Sequence, residues 1–463
     1  MSTHRADVVI CGAGIAGIAA AHALATQYGV HNVVLVDERA PLTLTSDKST
    51  EAYRTWWPGP DAAMVQLMNR SIDLLEQWSD ASNDRFLMNR RGYLYATTDA
   101  ANIPLWRTQA AIASAQGAGA VREVRSVHDL TSYQPSAHTG FRDHPDGADL
   151  FVDRDAIAQA FPFLADTIVA VLHARRCGWV SAQQLGMWLF DEARAAGVRF
   201  LSGRVNAVET KGGVVSRVTV ATAAGATDHI DTPVFVNCAG PFAQQVGRLV
   251  GVELPLFSEM HLKIAFEDTL DAVDRNTGLV ILDDAQQLPW TDEERAELAA
   301  DPTTAWLTRP MPAGIHLRPE GYRNSKTVLM LWDYHSAHRY AEPVFPLEDD
   351  PVYAEVVMRG MVQLVPALAP YVERLPHAYI DGGYYTKTIE NRPLIGPLPL
   401  QGAYVSAAFS GYGVMAAPAA GEILAAQITG SSQPSYAEAF LPDRYESAAY
   451  QERLRSWGGT GQL

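Results

Sequence analysis

Cysteine is scarce. Cys11, Cys177 and Cys238 are the only three in 463 residues, far apart and with neither the paired spacing of a zinc site nor the even count of a disulfide framework. A reducing cytoplasm is the expected compartment, and no metal is expected. Basic residues are also in short supply. Lys and Arg number 36 against 52 Asp and Glu, a formal net charge of -16, which repels phosphate backbones and anionic lipid surfaces and argues against a nucleic-acid partner. Long apolar runs are missing too. Residues 8–25 come nearest, but Gly12, Gly14 and Gly17 interrupt them, and the leucine-rich core and small-residue cleavage site of an export signal are absent. No membrane span is expected. Internal repeats and low-complexity tracts are lacking as well. What remains is a folding composition, 48% hydrophobic and 19% charged, in a chain about three times the usual length of one domain, so two or three compact units are expected.

Residues 7–10 read as a short buried strand and 17–26 as an alanine-rich helix, with 32–36 a second strand ending at Asp37, Glu38 and Arg39. Further on, 61–78 and 181–196 show helical apolar spacing, while 198–208, 214–220, 229–236, 259–266, 314–317 and 327–332 read as strands. The acidic stretch 283–305 is helix-prone and reads either as a solvated insertion or as a lid. Near the carboxyl end, strand, turn and helix return: 404–409, then Ser410, Gly411, Tyr412 and Gly413, then 414–428. Two such units at opposite ends suggest one domain built from separated segments.

The glycine spacing has a chemical reading. In a strand-turn-helix unit the first glycine allows the sharp turn, the second lets a pyrophosphate approach bare backbone, and the third lets helix and strand pack closely. Gly12, Gly14 and Gly17 take those positions. A helix starting there aims free amide donors and the positive end of its dipole at phosphates. About 20 residues on, Asp37 would accept hydrogen bonds from a ribose diol and repel a 2'-phosphate. FAD or NAD is therefore expected ahead of NADP.

Three stretches resemble the FAD-dependent D-amino-acid oxidase and sarcosine oxidase family. After the first unit, residues 45–50, with Ser46, Lys48, Ser49 and Thr50, resemble the polar loop this family runs toward the flavin. Residues 237–242, with Ala239 and Gly240, resemble the turn that covers the dinucleotide. The most specific stretch is Gly382-Gly383-Tyr384-Tyr385-Thr386-Lys387-Thr388-Ile389-Glu390-Asn391-Arg392-Pro393, followed by Ala408-Phe409-Ser410-Gly411-Tyr412-Gly413. The resemblance implies an α/β fold. A Rossmann-type FAD-binding domain would be assembled from residues 1–80, 150–250 and 376–435, and an α+β substrate domain with a mainly antiparallel sheet from 81–149 and 251–375, leaving a tail at 436–463. It also implies FAD contacts at Ile15, Ala16, Val205, Gly383, Val414 and Met415, with the 410–413 turn against the flavin ring. Some relatives attach the flavin through a cysteine where Gly383 stands, others through a histidine in the 46–50 loop. Neither is present, which implies non-covalent FAD. A lysine that some relatives place near Met415 for a substrate carboxylate is also missing.

The activity so implied is oxidation of the C–N bond of an amine or amino acid by hydride transfer to flavin N5, with reoxidation by O2. The alternatives are a dehydrogenase passing electrons to a carrier or quinone, and a non-catalytic flavin-binding assembly protein. The partners expected are a small-molecule substrate and an electron acceptor. Arg54 reads either as an anchor for a substrate carboxylate or as half of a structural ion pair. His261 and Lys263 alternate on a strand and so share a face. If that face meets the flavin, Lys263 offers a charge for oxygen reduction. His316 and Arg318 pose the same question. Tyr384, Tyr385 and Tyr412 are candidates to face flavin or substrate, and Trp56 and Trp57 to wall the pocket.

Overall fold

The structure, a computed structural model, describes residues 3–137, 139–222, 225–321, 324–335, 338–348 and 350–457. The last residues of the expected tail, 458–463, lie outside them. Among the described residues the strands form two nine-stranded sheets and one two-stranded pair. In spatial order the first sheet runs Thr3–Arg5, Thr227–Asp231, Val214–Thr222, Arg199–Lys211, Val33–Asp37, Val8–Cys11, Phe235–Asn237, Ala403–Ala407 and Leu394–Pro397. Its centre is parallel: Val8–Cys11 pairs with Val33–Asp37 on one side and Phe235–Asn237 on the other. Such strands are covered on both faces, which is why Val8, Val9 and Ile10 are apolar without alternation.

Two helices cover one side of this centre, Ile15–Thr26 and Gly413–Thr429. Both are alanine-rich and buried along nearly their whole length, the pattern of a helix enclosed by protein. Small residues let them approach closely: a Cβ on Gly421 would lie 2.7 Å from the Ala19 carbonyl oxygen. The two ends of the chain thus share one core.

The second sheet runs Tyr379–Lys387, Phe257–Glu267, Thr327–Leu331, Ile315–Pro319, Leu279–Leu282, Tyr93–Thr97, Ala170–Ala174, Ala148–Phe151 and Val121–Val124, and most of its pairings are antiparallel. Its strands alternate. Met260, Leu262, Ile264 and Phe266 enter a second apolar core with Met330, Leu317 and Trp332, so Glu259, His261 and Lys263 point from the other face.

Several sequence expectations shift. Residues 229–236 are not one strand: Pro233 has no amide hydrogen to donate, and the chain leaves the outer strand Thr227–Asp231 before entering the central Phe235–Asn237. Residues 150–174 and 379–387, assigned from sequence to the cofactor segments, contribute strands to the second sheet. The 45–50 loop holds a short helix, Thr45–Lys48. The acidic stretch carries a helix, Asp292–Ala300, with no buried residue and a capping box between Thr291 and Glu294. His22 is buried edge-on to Trp78 at 5.2 Å. The tail docks: Arg444 pairs with the buried Glu390 at 2.8 Å, and Tyr445 and Tyr450 donate to the same carboxylate. No described helix is long and apolar enough to cross a membrane.

Candidate active site

A cavity of about 360 Å³ lies at the carboxyl ends of the central strands, lined by Gly12, Asp37, Cys238 and Ala408 just where those strands end. This is where open α/β sheets bind ligands. The three glycines differ in what they do. Gly12 turns at φ +109°, and a Cβ there would lie 2.3 Å from the Cys238 carbonyl oxygen. A Cβ on Gly17 would lie 1.9 Å from the Gly12 carbonyl oxygen, so Gly17 serves strand-helix packing and lies off the cavity wall. Gly14 has an ordinary φ of -74°. It lines the cavity, and only Ser46 Oγ, at 3.3 Å, would meet a Cβ there. An added side chain would therefore take up ligand space rather than break the fold.

Asp37 is fixed by the backbone: its Oδ2 accepts from the Ala13 amide at 2.8 Å and its Oδ1 from the Arg39 amide at 2.9 Å. Glu38 lines the same cavity and pairs with Arg39 and with Arg204 at 2.6 and 2.9 Å. Ser46 Oγ accepts from the Ile15 amide at 3.0 Å, joining the second loop to the first helix. Burial, helped by the charges of Asp37 and Glu38, pushes the nearby Cys11 thiol up to about 12. It stays a protonated wall residue.

At the other end the turn is strained. Ala408 and Ser410 both take positive φ, 63° and 49°, conformations that non-glycine residues hold only under tertiary constraint. The Ser410 amide donates to Thr386 O at 2.9 Å, tying the turn to the Tyr379–Lys387 strand. Gly413 then opens a 17-residue helix, whose amino end adds to the positive potential of the first.

Of the proposed cofactor residues, Gly12, Gly14, Ile15, Ala16, Asp37, Glu38, Arg39, Ser46, Ser49, Val205, Ala239, Gly240, Ser410, Gly411, Gly413 and Val414 all border this cavity. Lys48 does not. Its ammonium pairs with Asp47 and Asp381, while Gly383 lies where a Cβ would meet the Lys48 Cβ at 3.3 Å. Thr50, Tyr412 and Met415 border a second, smaller cavity instead. The helical turn carries Val414 to one cavity and Met415 to the other.

The smaller cavity, about 70 Å³, abuts the first and shares Tyr385 and Gly411 with it. Arg54, His261, His316, Asp333, Tyr93 and Met415 also line it. Arg54 is buried, donates from Nη1 to the Tyr95 hydroxyl at 2.9 Å, and lies 4.3 Å over the Trp57 ring. Burial holds His316 down to about 4, so its ring is neutral. Its Nδ1 faces the Gly314 carbonyl at 2.9 Å, which places the ring proton there and leaves Nε2 as an acceptor. His261 stacks on Tyr385 with centroids 3.8 Å apart.

Three candidates are held by contacts of the fold. Tyr384 turns away, packing in the second core with its hydroxyl donating to Val344 O at 2.9 Å. Tyr385, its neighbour across the pleat, faces the cavity. Tyr412 does line the cavity, but its hydroxyl donates to Asn391 O at 2.8 Å and burial raises its pKa, so it offers a ring and not an acid. Lys263 lines neither cavity. Its ammonium donates to Ser49 O at 3.0 Å, and burial lowers its pKa. Arg318, fully buried, donates to Thr50 O at 2.9 Å and pairs with Glu51 and Glu320, so two cations of the second sheet hold the 49–51 loop. Asp333 is the charged residue of the smaller cavity that sequence reasoning missed. It stands two positions past a strand end, where no periodicity marks it.

The chain belongs to a family of FAD-dependent oxidoreductases: the profile of the family described as DAO, FAD dependent oxidoreductase, matches residues 7–427. FAD is therefore its cofactor, and the glycine cradle, the fixed carboxylate of Asp37 and the two helix starts fit an adenine dinucleotide. No match is found among curated proteins. Among solved structures, the L-proline dehydrogenase of P. horikoshii is similar over 96% of this chain and 99% of its own, at 19% identity and a TM-score of 0.72. An iminodiacetate oxidase of a Chelativorans species covers 94% and 98% at 16% identity and a TM-score of 0.68. A glycine oxidase of Geobacillus kaustophilus covers 93% and 96% at 15% identity and a TM-score of 0.67.

Proposed function

We propose that the protein oxidises the C–N bond of a compact amine or amino acid held in the smaller cavity, and that O2 is the electron acceptor. The observation that carries this reading is the contact between the two cavities at Gly411 and Tyr385, beside the turn expected against the flavin. Bound FAD would supply an acceptor at N5 for the hydride. The protein's task is then to hold a neutral amine in register and keep water out. Arg54 is the proposed carboxylate anchor, its fork already braced by Tyr95 and Trp57. His316 Nε2 is the proposed acceptor for a substrate N–H. Tyr93, Tyr385, Tyr412, Leu331 and Met415 supply apolar wall, and the small volume favours a short substrate. Lys263, with its ammonium against the 49–51 loop, is the proposed charge for oxygen reduction. The substrate kinships of the similar structures, glycine, proline and iminodiacetate, support a small amino acid. A cytoplasmic location is supported by three buried, free thiols.

The test is anaerobic addition of primary, secondary and tertiary amines, with and without carboxylates, to the purified yellow protein. Bleaching of the oxidised flavin absorbance by a carboxylated amine, followed by peroxide formation on admitting air, is the expected result. Flavin that dithionite reduces but no amine bleaches would overturn the proposal. Bleaching without oxygen consumption would reassign the acceptor to a carrier or quinone.

A further inference from the structure

Strand register places one carboxylate at the cavity with an oxygen that no described residue serves. Lys263 pairs with Leu331, and Leu331 also faces His316. Two residues along the same face, His261 is therefore opposite Asp333. Asp333 lines the smaller cavity. Its Oδ1 is buried and has no hydrogen-bond partner among the described residues, an arrangement that destabilises a folded protein unless a ligand completes it. The neighbouring cations are directed elsewhere. Lys387 is on Glu259, and Arg54 is on Tyr95 and Trp57. His261, nine-tenths buried, holds its Nε2 at 3.5 Å from both Glu259 Oε2 and Asp333 Oδ2. That ring nitrogen approaches Oδ2 and not Oδ1, and it too has no hydrogen-bond partner among the described residues.

We propose that Asp333 is a catalytic residue that stabilises the positive charge developing on the substrate nitrogen. This rests on the amine-oxidation reading. As the substrate C–H bond breaks and its electron pair leaves for the flavin, the nitrogen lone pair closes the C=N bond and nitrogen becomes cationic. Any N–H proton stays on the resulting iminium, hydrogen-bonded to Oδ1. A carboxylate that lines the cavity beside the substrate nitrogen acts where the charge appears. The cavity is then bipolar, with Arg54 for an anionic group and Asp333 for the nitrogen. Glu259, His261 and Asp333 also present donor atoms within 4.8 Å of one another, as a divalent cation would require. The Lys387 ammonium already neutralises Glu259, which disfavours that use.

The test compares two ligands of one shape, trimethylammonioacetate and 3,3-dimethylbutanoate, which differ only in the charge at the branching atom. Binding is read from the flavin absorbance of the holoenzyme. The wild type is expected to prefer the cation on the order of tenfold, and Asp333→Asn to bind both alike. Asp333→Glu, which keeps the charge, is expected to keep the preference. On any amine that bleaches the wild type, Asp333→Asn should lower kcat by about 100-fold or more with KM little changed. A wild-type ratio near one, or an unchanged ratio in Asp333→Asn, overturns the proposal. So does turnover lost to EDTA and restored by a divalent metal. If no amine bleaches the wild type, the oxidation reading fails, and the ligand ratio still decides whether Asp333 recognises a cation.

Discussion

The glycines of the first turn allow folding and cofactor binding to be separated by single substitutions. At Gly12 an alanine would have to hold φ +109° with its Cβ 2.3 Å from the Cys238 carbonyl oxygen. The left-handed conformation costs about 1–2 kcal/mol, and displacing a buried backbone carbonyl adds about 1–3 kcal/mol. Gly17→Ala, with a contact of 1.9 Å to the Gly12 carbonyl oxygen, faces a comparable penalty. Gly14→Val meets neither: its φ is -74°, and the nearest obstacle is a serine hydroxyl at 3.3 Å. Losing glycine at a helix N-cap costs about 1 kcal/mol. Its side chain would instead fill the space proposed for the pyrophosphate, and FAD affinity should fall by about 100-fold or more, roughly 2.7 kcal/mol. Thermal unfolding of apoprotein and fluorescence titration with FAD read the two effects separately. Gly14→Val should unfold within a few degrees of wild-type apoprotein yet purify colourless, whereas Gly12→Ala should unfold well below it. Stoichiometric FAD in Gly14→Val would remove the first loop from the pyrophosphate. Wild-type apo stability in Gly12→Ala would refute the steric reasoning.

Arg54→Ala should lower kcat/KM for carboxylated amines by about 100-fold, as expected for losing a charge-assisted pair, and affect plain amines much less; equal losses in steady-state assays would remove it from the carboxylate. Lys263→Met should slow reoxidation by O2 about tenfold or more while leaving anaerobic reduction nearly unchanged, both read by stopped flow. Parallel losses would mean that Lys263 only holds the loop. Burial, ahead of repulsion from Asp284, raises the Asp283 carboxyl to about 6. A folded pKa above the unfolded one means that stability present below about pH 4 is lost as pH rises through 6. Asp283→Asn should therefore be more stable than wild type at pH 8 by about 1–3 kcal/mol, a ceiling set by 1.36 kcal/mol per pKa unit, with the difference vanishing near pH 4. Denaturant unfolding at the two pH values checks it, and a pH-independent difference would count against it.

The first cavity was legible because its signals are local. Three glycines at fixed spacing, a strand before them and a carboxylate about 20 residues on are read within one βαβ unit. The second cavity depends on register, which a single sequence does not carry. Tyr384 and Tyr385 are adjacent aromatics in one strand, and only the pairing of Gly382, Gly383, Tyr384 and Tyr385 with Leu262, His261, Met260 and Glu259 decides which faces the core. Met415 follows Val414 by one helical step and so turns into a different space. His22 is polar by type, yet it is buried edge-on to Trp78 on a helix buried along nearly its whole length. Tertiary cover overrode residue preference.

The 49–51 loop explains why both sheets are needed for one site. Its Ser49 carbonyl accepts from Lys263 and its Thr50 carbonyl from Arg318, so two cations rooted in the second sheet fix a segment whose residues line both cavities. A few residues earlier, the Thr45 hydroxyl donates to Tyr384 O at 3.0 Å. Polar ties from the second sheet to this segment thus end on the Ser49 and Thr50 backbone, on the Thr45 hydroxyl, and on the Lys48 and Glu51 side chains, which pair with Asp381 and Arg318. Arg318 has two carboxylates and two carbonyls to satisfy, and its guanidinium is fully buried. Removing it would leave two half-buried carboxylates, Glu51 and Glu320, without their cation, a cost of about 1–3 kcal/mol. Arg318, which sequence reasoning weighed for chemistry, is thus a residue whose loss would act first on architecture, and through the 49–51 loop on the two cavities.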